Sequence, residues 1–197
     1  YADAHQFKEW LDPFPQTKEQ VEEKIGKARK QEILIAGMLH KENLMELLRT
    51  FMVYDTKGSK RIKMIAKYQQ FRSVQKCILH TEIGTNPLEK GGIIWHTPGA
   101  GKSLDMLWVA MRLKRKYGNP TVIVVTDRRQ LDKQIHDTFV SCGFPSPTKA
   151  GDRDDLREMI EKNKGKTIMT TIQKFPFFKE DEEIHVVSDE PLFVLVD

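Results

Sequence analysis

The sequence predicts an α/β fold: a parallel sheet with helices on both faces, preceded by a helical linker. Three observations lead there. From Arg61 onward, strand-like runs alternate with helical patterns, the arrangement that builds parallel sheets through crossover helices. Two of the runs, Thr121–Val125 and Leu192–Val196, are apolar or β-branched without alternation, as strands covered on both faces are. Between the apolar triplet Ile93–Trp95 and the periodic run Leu104, Leu107, Trp108 and Met111 lies Thr97-Pro98-Gly99-Ala100-Gly101-Lys102-Ser103, a glycine loop joining a predicted strand to a predicted helix.

Taken in order, Phe7 to Pro15 is an aromatic, proline-rich connector. Thr17 can cap a helix through Lys24, with acids early and Lys27, Arg29 and Lys30 late, as the helix dipole favours. Its Glu22-Glu23-Lys24 matches a nuclease fragment only in letters, since nuclease side chains need a strand facing a further acid; here it is a solvated charge run. Ile33–Leu39 and Leu44–Phe51 predict two more helices. Met52–Tyr54 reads as a short strand, with a turn at Gly58-Ser59.

Arg61–Ala66 alternates as a strand, and Tyr68, Phe71, Val74, Cys77 and Ile78 share one helical face. Gln69 and Gln70 open that helix; either amide could read an adenine edge, because it both donates and accepts, or simply face solvent. After the glycine loop and its helix, Thr121–Val125 ends in Thr126-Asp127-Arg128-Arg129. Leu131, Ile135 and Phe139 mark the next helix, and Asp127 could cap it. A helix at Asp154–Asn163, a strand at Thr167–Thr171 and Ile172-Gln173-Lys174-Phe175 follow. Phe178–Glu190 is a polar, acidic loop before the last strand, which closes on Asp197. His96, Thr126, Thr171 and Asp197 all fall at predicted carboxyl ends of strands, where open α/β sheets place their sites.

The loop chemistry is that of a phosphate cradle. Gly99 and Gly101 stand where a Cβ would clash, so successive backbone N–H groups can wrap an anion. The helix opening at Lys102 adds its own unpaired N–H groups. Lys102 would reach β- and γ-phosphates, the Ser103 hydroxyl would bind Mg²⁺, and an Asp at a strand tip, Asp197, would help hold the metal. His96 departs from the usual small residue at the strand-to-loop corner.

Composition bounds the rest. The chain has 197 residues, 39% of them apolar and 30% charged, with a formal charge of +4. Such a balance suits a globular protein and permits a polyanionic partner without demanding one. Cys77 and Cys142 show no metal-binding spacing and read as reduced thiols of a cytoplasmic protein. No run approaches the ~20 apolar residues that span a bilayer, so no membrane association is expected. The start lacks a signal peptide and an initiator Met, and the end falls on a motif-like acid, so a longer parent chain is expected at both ends.

These residues resemble a known family. Leu39-His40-Lys41-Glu42-Asn43-Leu44, Ile65 to Arg72, Gly92 to Ser103, Val124-Val125-Thr126-Asp127-Arg128, Thr170 to Phe175 and Phe193 to Asp197 together resemble the restriction (R) subunit of type I restriction-modification enzymes, at the start of its superfamily-two, helicase-type motor. The resemblance spans most of the chain, and its members commonly carry His at position 96. It implies a RecA-like fold, with residues 1–55 a helical linker following an absent nuclease domain and 56–197 the first motor lobe. Residues Thr97, Pro98, Gly99, Ala100, Gly101, Lys102 and Ser103 would bind ATP, Gln70 would read adenine, and Ser103 and Asp197 would hold Mg²⁺; Lys102, Ser103 and Asp197 would be the catalytic members present. Thr126, Arg128, Thr171 and Gln173 would contact DNA phosphates, with capping or surface solvation as the other reading of each. The parent enzyme would translocate double-stranded DNA with methylation and specificity subunits and cleave it. The water-positioning and charge-stabilising groups would lie beyond Asp197, so this chain alone is expected to bind ATP without efficient turnover. Two other readings stay open: a different superfamily-two DNA or RNA motor, such as a repair helicase, or a nucleotide switch that does not move on nucleic acid.

Overall fold

The computed structural model describes residues 8–145, 147–162, 164–175 and 191–197; the expected acidic loop at Phe178–Glu190 and the first residue of the expected connector lie outside these. The chain gathers into two compact units, one holding the chain to Val53 with Lys63–Ile94, the other Tyr54–Ile62 with Trp95–Asp197.

The first unit is helical: α1 (Lys18–Ile25), α2 (Lys30–Gly37), α3 (Lys41–Arg49), α4 (Tyr68–Ile83) and the single turn α5 (Pro87–Lys90). Thr17 caps α1 as predicted, in a reciprocal box with Gln20. The helix ends sooner than its charge pattern suggests, because Gly26 takes a left-handed conformation at φ 80°. Lys27 and Arg29 therefore lie outside α1, and Lys30 opens α2. Glu22, Glu23 and Lys24 are solvent-exposed. The core of this unit is aromatic: Phe71 on α4 packs edge-on against Phe51 at 4.9 Å and beside Trp10 at 5.6 Å. Arg72, one residue on, pairs with Asp12 at 2.9 Å and lies over the Phe14 ring, anchoring the connector to α4. Phe71, Val74 and Ile78 are buried as their spacing predicts, while Leu48 of α3 is half exposed.

Strands β1 (Met52–Lys57) and β2 (Lys60–Ile65) form a two-stranded sheet, turning at Gly58 with φ 59°. The predicted turn is where it was expected, and β2 is largely exposed.

The second unit carries the main sheet, of β3 (Thr121–Thr126), β4 (Thr148–Lys149), β5 (Thr167–Thr171) and β6 (Leu192–Val196) in the order β4-β5-β3-β6, every pair parallel. All residues of β3 and β5 are buried, which is why neither sequence alternates. Helix α6 (Lys102–Lys116) packs on β3 and on α7 (Arg129–Ser141), and α7 packs on β3 and β5. Leu107 and Trp108 of α6 and Ile135 and Phe139 of α7 are fully buried. Helix α8 (Arg153–Lys162) covers a smaller cluster of Leu156, Ala150 and Ile168. The α/β class and the parallel sheet follow the prediction.

One predicted strand does not form. Ile93-Ile94-Trp95 lies outside both sheets, with Ile93 92% and Trp95 90% exposed. A strand exists only through its ladder, and none of the described strands pairs with this triplet.

Candidate nucleotide site and strand-end rim

The phosphate loop is built as its residues require. Gly99 has φ 75° and Gly101 φ 98°, both in the left-handed region that favours glycine. A Cβ placed on Gly99 would meet no protein atom within 4 Å, so within the protein it is the backbone angle that calls for glycine there. Ala100 N–H bonds back to Thr97 O at 3.1 Å, and Leu104 and Asp105 N–H both donate to Gly101 O, opening α6 at Lys102. No side chain caps that helix start. Lys102 is exposed and Ser103 half-buried beside it. A glycine loop running into a helix start that carries an exposed lysine is an arrangement suited to a polyphosphate.

His96, at the corner before the loop, meets Asp105 of α6: Nδ1 lies 2.8 Å from Oδ2. The sequence marks His96 as unusual and gives no sign of Asp105, since only folding α6 back brings positions nine apart together.

The parallel register aligns three of the predicted site residues. Thr126 pairs with Thr171 at the ends of β3 and β5. Asp197 N–H donates to Val125 O at 3.0 Å, so the acid follows the end of β6 at the same rim. Both threonines are buried, and Thr126 Oγ points at its own loop, 3.5 Å from Arg128 O. Arg128 and Gln173 are exposed. Gln173 Nε2 donates to Asp127 O at 3.0 Å, tying the loop after β5 to the loop after β3. The structure thus adds a bracing contact that a reading of single motifs misses. Asp127 does not cap α7: its carboxylate accepts from Arg128 Nε at 3.2 Å, and Arg128, the residue at the cap position, makes no side-chain cap. Lys149 reaches Asp132 of α7 at 3.0 Å, and Lys174 donates to Ala150 O.

Gln70 belongs to the first unit. It is buried, with its Oε1 accepting Lys67 N–H at 3.1 Å at the start of α4, while Gln69 is exposed. Solvent exposure, the alternative open in the sequence, applies to Gln69 and not to Gln70.

A magnesium ion in a nucleotide site uses one or two protein oxygens plus phosphate oxygens and water. The donors at hand, the Ser103 hydroxyl and the Asp197 carboxylate, fit such a hard cation. A dedicated cage does not occur: among the described residues no three His, Cys, Asp or Glu side chains gather as a metal site.

Residues 69–197 match the SWI2/SNF2 ATPase family model, well over half of the chain. The chain belongs to the SWI2/SNF2 ATPase family. The glycine loop, Lys102 and the aligned rim all lie inside the matched stretch of this ATPase domain. Individual proteins agree. The chain is 37% identical over 177 residues to the type I restriction enzyme HindI endonuclease subunit of Haemophilus influenzae, covering 80% of this chain and 17% of that one. It is 36% identical over 172 residues to the putative MjaIXP endonuclease subunit of Methanocaldococcus jannaschii, covering 84% and 16%. A Staphylococcus aureus type I restriction endonuclease subunit is 28% identical over 132 residues, covering 66% of this chain. The chain spans less than a fifth of the length of these relatives. Among the described residues, no helix of this ATPase domain is long and apolar enough to cross a membrane.

Proposed function

We propose that this chain is the ATP-binding part of a DNA translocase subunit that drives type I restriction, its residues 56–197 serving as the first RecA-like motor lobe and residues 1–55 as the linker to a nuclease. One observation carries the reading. A glycine cradle with Lys102 at a helix start shares a parallel-sheet unit with a strand-end rim holding Asp197, Thr126 and Thr171 in adjacent register. The similarity to type I restriction endonuclease subunits supports the biological setting.

In this reading N–H groups of the loop and of the start of α6 wrap the β- and γ-phosphates, Ala100 N–H being used within the loop, and Lys102 neutralises their charge. Ser103 and Asp197 hold Mg²⁺, which when bound screens charge on the transferred phosphoryl group. Gln70 reads the adenine edge with its amide. Arg128, the uncapped start of α7 and Gln173 face the phosphate backbone of double-stranded DNA, with Thr126 and Thr171 supporting their loops. Contacts of this kind carry no base information, which suits a motor that must pass over any sequence. Methylation and specificity subunits would then supply site recognition.

The alternative is a nucleotide switch that does not move on DNA. Phosphate release by the complete protein, measured with and without duplex DNA, separates the two. The motor reading expects several-fold stimulation by unrelated duplexes. Turnover indifferent to DNA would contradict it.

A further inference from the structure

The contact between His96 and Asp105 brackets the whole of Thr97–Gly101. Nδ1 and Oδ2 are 2.8 Å apart, and the side chains are only 13% and 5% exposed, so water competes weakly for the bond. An ionised Asp105 can only accept, so His96 Nδ1 would be the donor of this bond.

The loop needs such a fastening. Ala100 N–H already braces the loop from within by donating to Thr97 O at 3.1 Å, but N–H groups that go to a phosphate cannot also fix the shape of the loop. Its carboxyl end is secured where Leu104 and Asp105 N–H donate to Gly101 O, at 2.9 and 3.2 Å. His96 ties the other end to that same first turn of α6 through the Asp105 side chain. Gly99 and Gly101 between them have the largest conformational freedom of any residue type, so an unfastened loop would spend much of its time in other shapes.

We propose that the His96–Asp105 hydrogen bond is a clasp that holds the nucleotide-free loop in its anion-binding shape, making both side chains positioning residues for ATP. The proposal rests on the reading of Thr97–Ser103 as the ATP site. Apparent affinity scales with the fraction of molecules already in the competent shape. His96→Leu removes the donor and should raise the dissociation constant for Mg-ATP by roughly tenfold. His96→Asn keeps an N–H that can reach the same oxygen and should stay within about threefold of wild type. Adding Asp105→Leu to His96→Leu should weaken binding no further, because the two act through one bond.

The test is titration of a fluorescent ATP analogue with Mg²⁺ into wild type and these variants, with thermal melts alongside. A lowered melting point with unchanged affinity in His96→Leu would make the pair a packing element and overturn the clasp. If His96→Leu fails to fold, long-range proton–nitrogen NMR of wild type decides, the His96 signal being assigned by its loss in His96→Asn. A protonated Nδ1 is expected, and a bare Nδ1 would overturn the proposal. Failure of wild type itself to bind Mg-ATP would remove the ATP reading as well, whereas normal wild-type binding unaffected by His96→Leu would remove the clasp alone.

Discussion

At the scale of single residues, Gln70 separates a structural role from a recognition role. Its Oε1 accepts the Lys67 N–H at the start of α4, and the residue is 3% exposed. Gln70→Ala leaves that donor without its acceptor and should cost about 1–3 kcal/mol, read as a lower melting temperature. Gln70→Glu keeps an acceptor oxygen, and its charge sits favourably at a helix start. It loses the amide donor, so discrimination of ATP from GTP should narrow. If competition titrations show the same adenine preference in Gln70→Glu, the glutamine is a cap and reads nothing. This residue also marks a boundary of what sequence can tell. A Gln-Gln pair before a glycine loop suggests a base reader, yet which of the two turns inward depends on the helix phase that Phe71 and Val74 set.

At the scale of elements, composition reveals strands more surely than their burial: Leu192–Val196, expected to be covered on both faces, forms β6 but alternates between exposed and half-buried. Thr121–Val125 and Thr167–Thr171 are buried along their whole length, so burial is written into every residue. The two-residue strand β4 is too short to leave a pattern, and Ile93–Trp95 has a strand's composition without a partner. Local composition reports the propensity to pair; only the fold supplies the neighbour. Lys114 shows the same limit. It lies two residues before the end of α6, where a cation suits the helix dipole, but its Nζ donates to Asn119 Oδ1, Pro120 O and Gly165 O at 3.1, 3.2 and 2.8 Å. It thereby joins the turns that lead into β3 and β5. Burial pulls its ammonium below the usual lysine range, a sign that the bonds form in a partly dry setting. Lys114→Met keeps the apolar stem and leaves those carbonyls to water, so urea unfolding should show a loss of about 2 kcal/mol. A loss under ~0.5 kcal/mol would mean that the turns hold without it.

At the scale of the whole molecule, charge and site are only loosely related. A net +4 over 197 residues neither requires nor forbids nucleic acid, and the rim offers few cations. Arg128 is 80% exposed at its side chain, with Arg129 beside it, while Lys174 is committed to Ala150 O. About two or three phosphates could be neutralised, giving a shallow log–log salt slope near ~−2 to −3. Arg128→Ala should lower affinity alike for unrelated duplexes and flatten the slope by about one. Fluorescence anisotropy over a range of salt concentrations reads both quantities. Unchanged binding, or a loss confined to one sequence, would take this rim out of the DNA path. The rim was legible as a set of strand ends. Its internal brace, Gln173 to Asp127 O, was not, because it joins residues 46 positions apart.

The central claim is that the loop at Thr97–Ser103 binds the triphosphate of ATP through Lys102. Isothermal titration of Mg-ATP into wild type and Lys102→Ala tests it most directly. Loss of one charge-assisted contact of about 1.5–3 kcal/mol should weaken binding by one to two decades. Equal affinity with and without Lys102 would contradict the account.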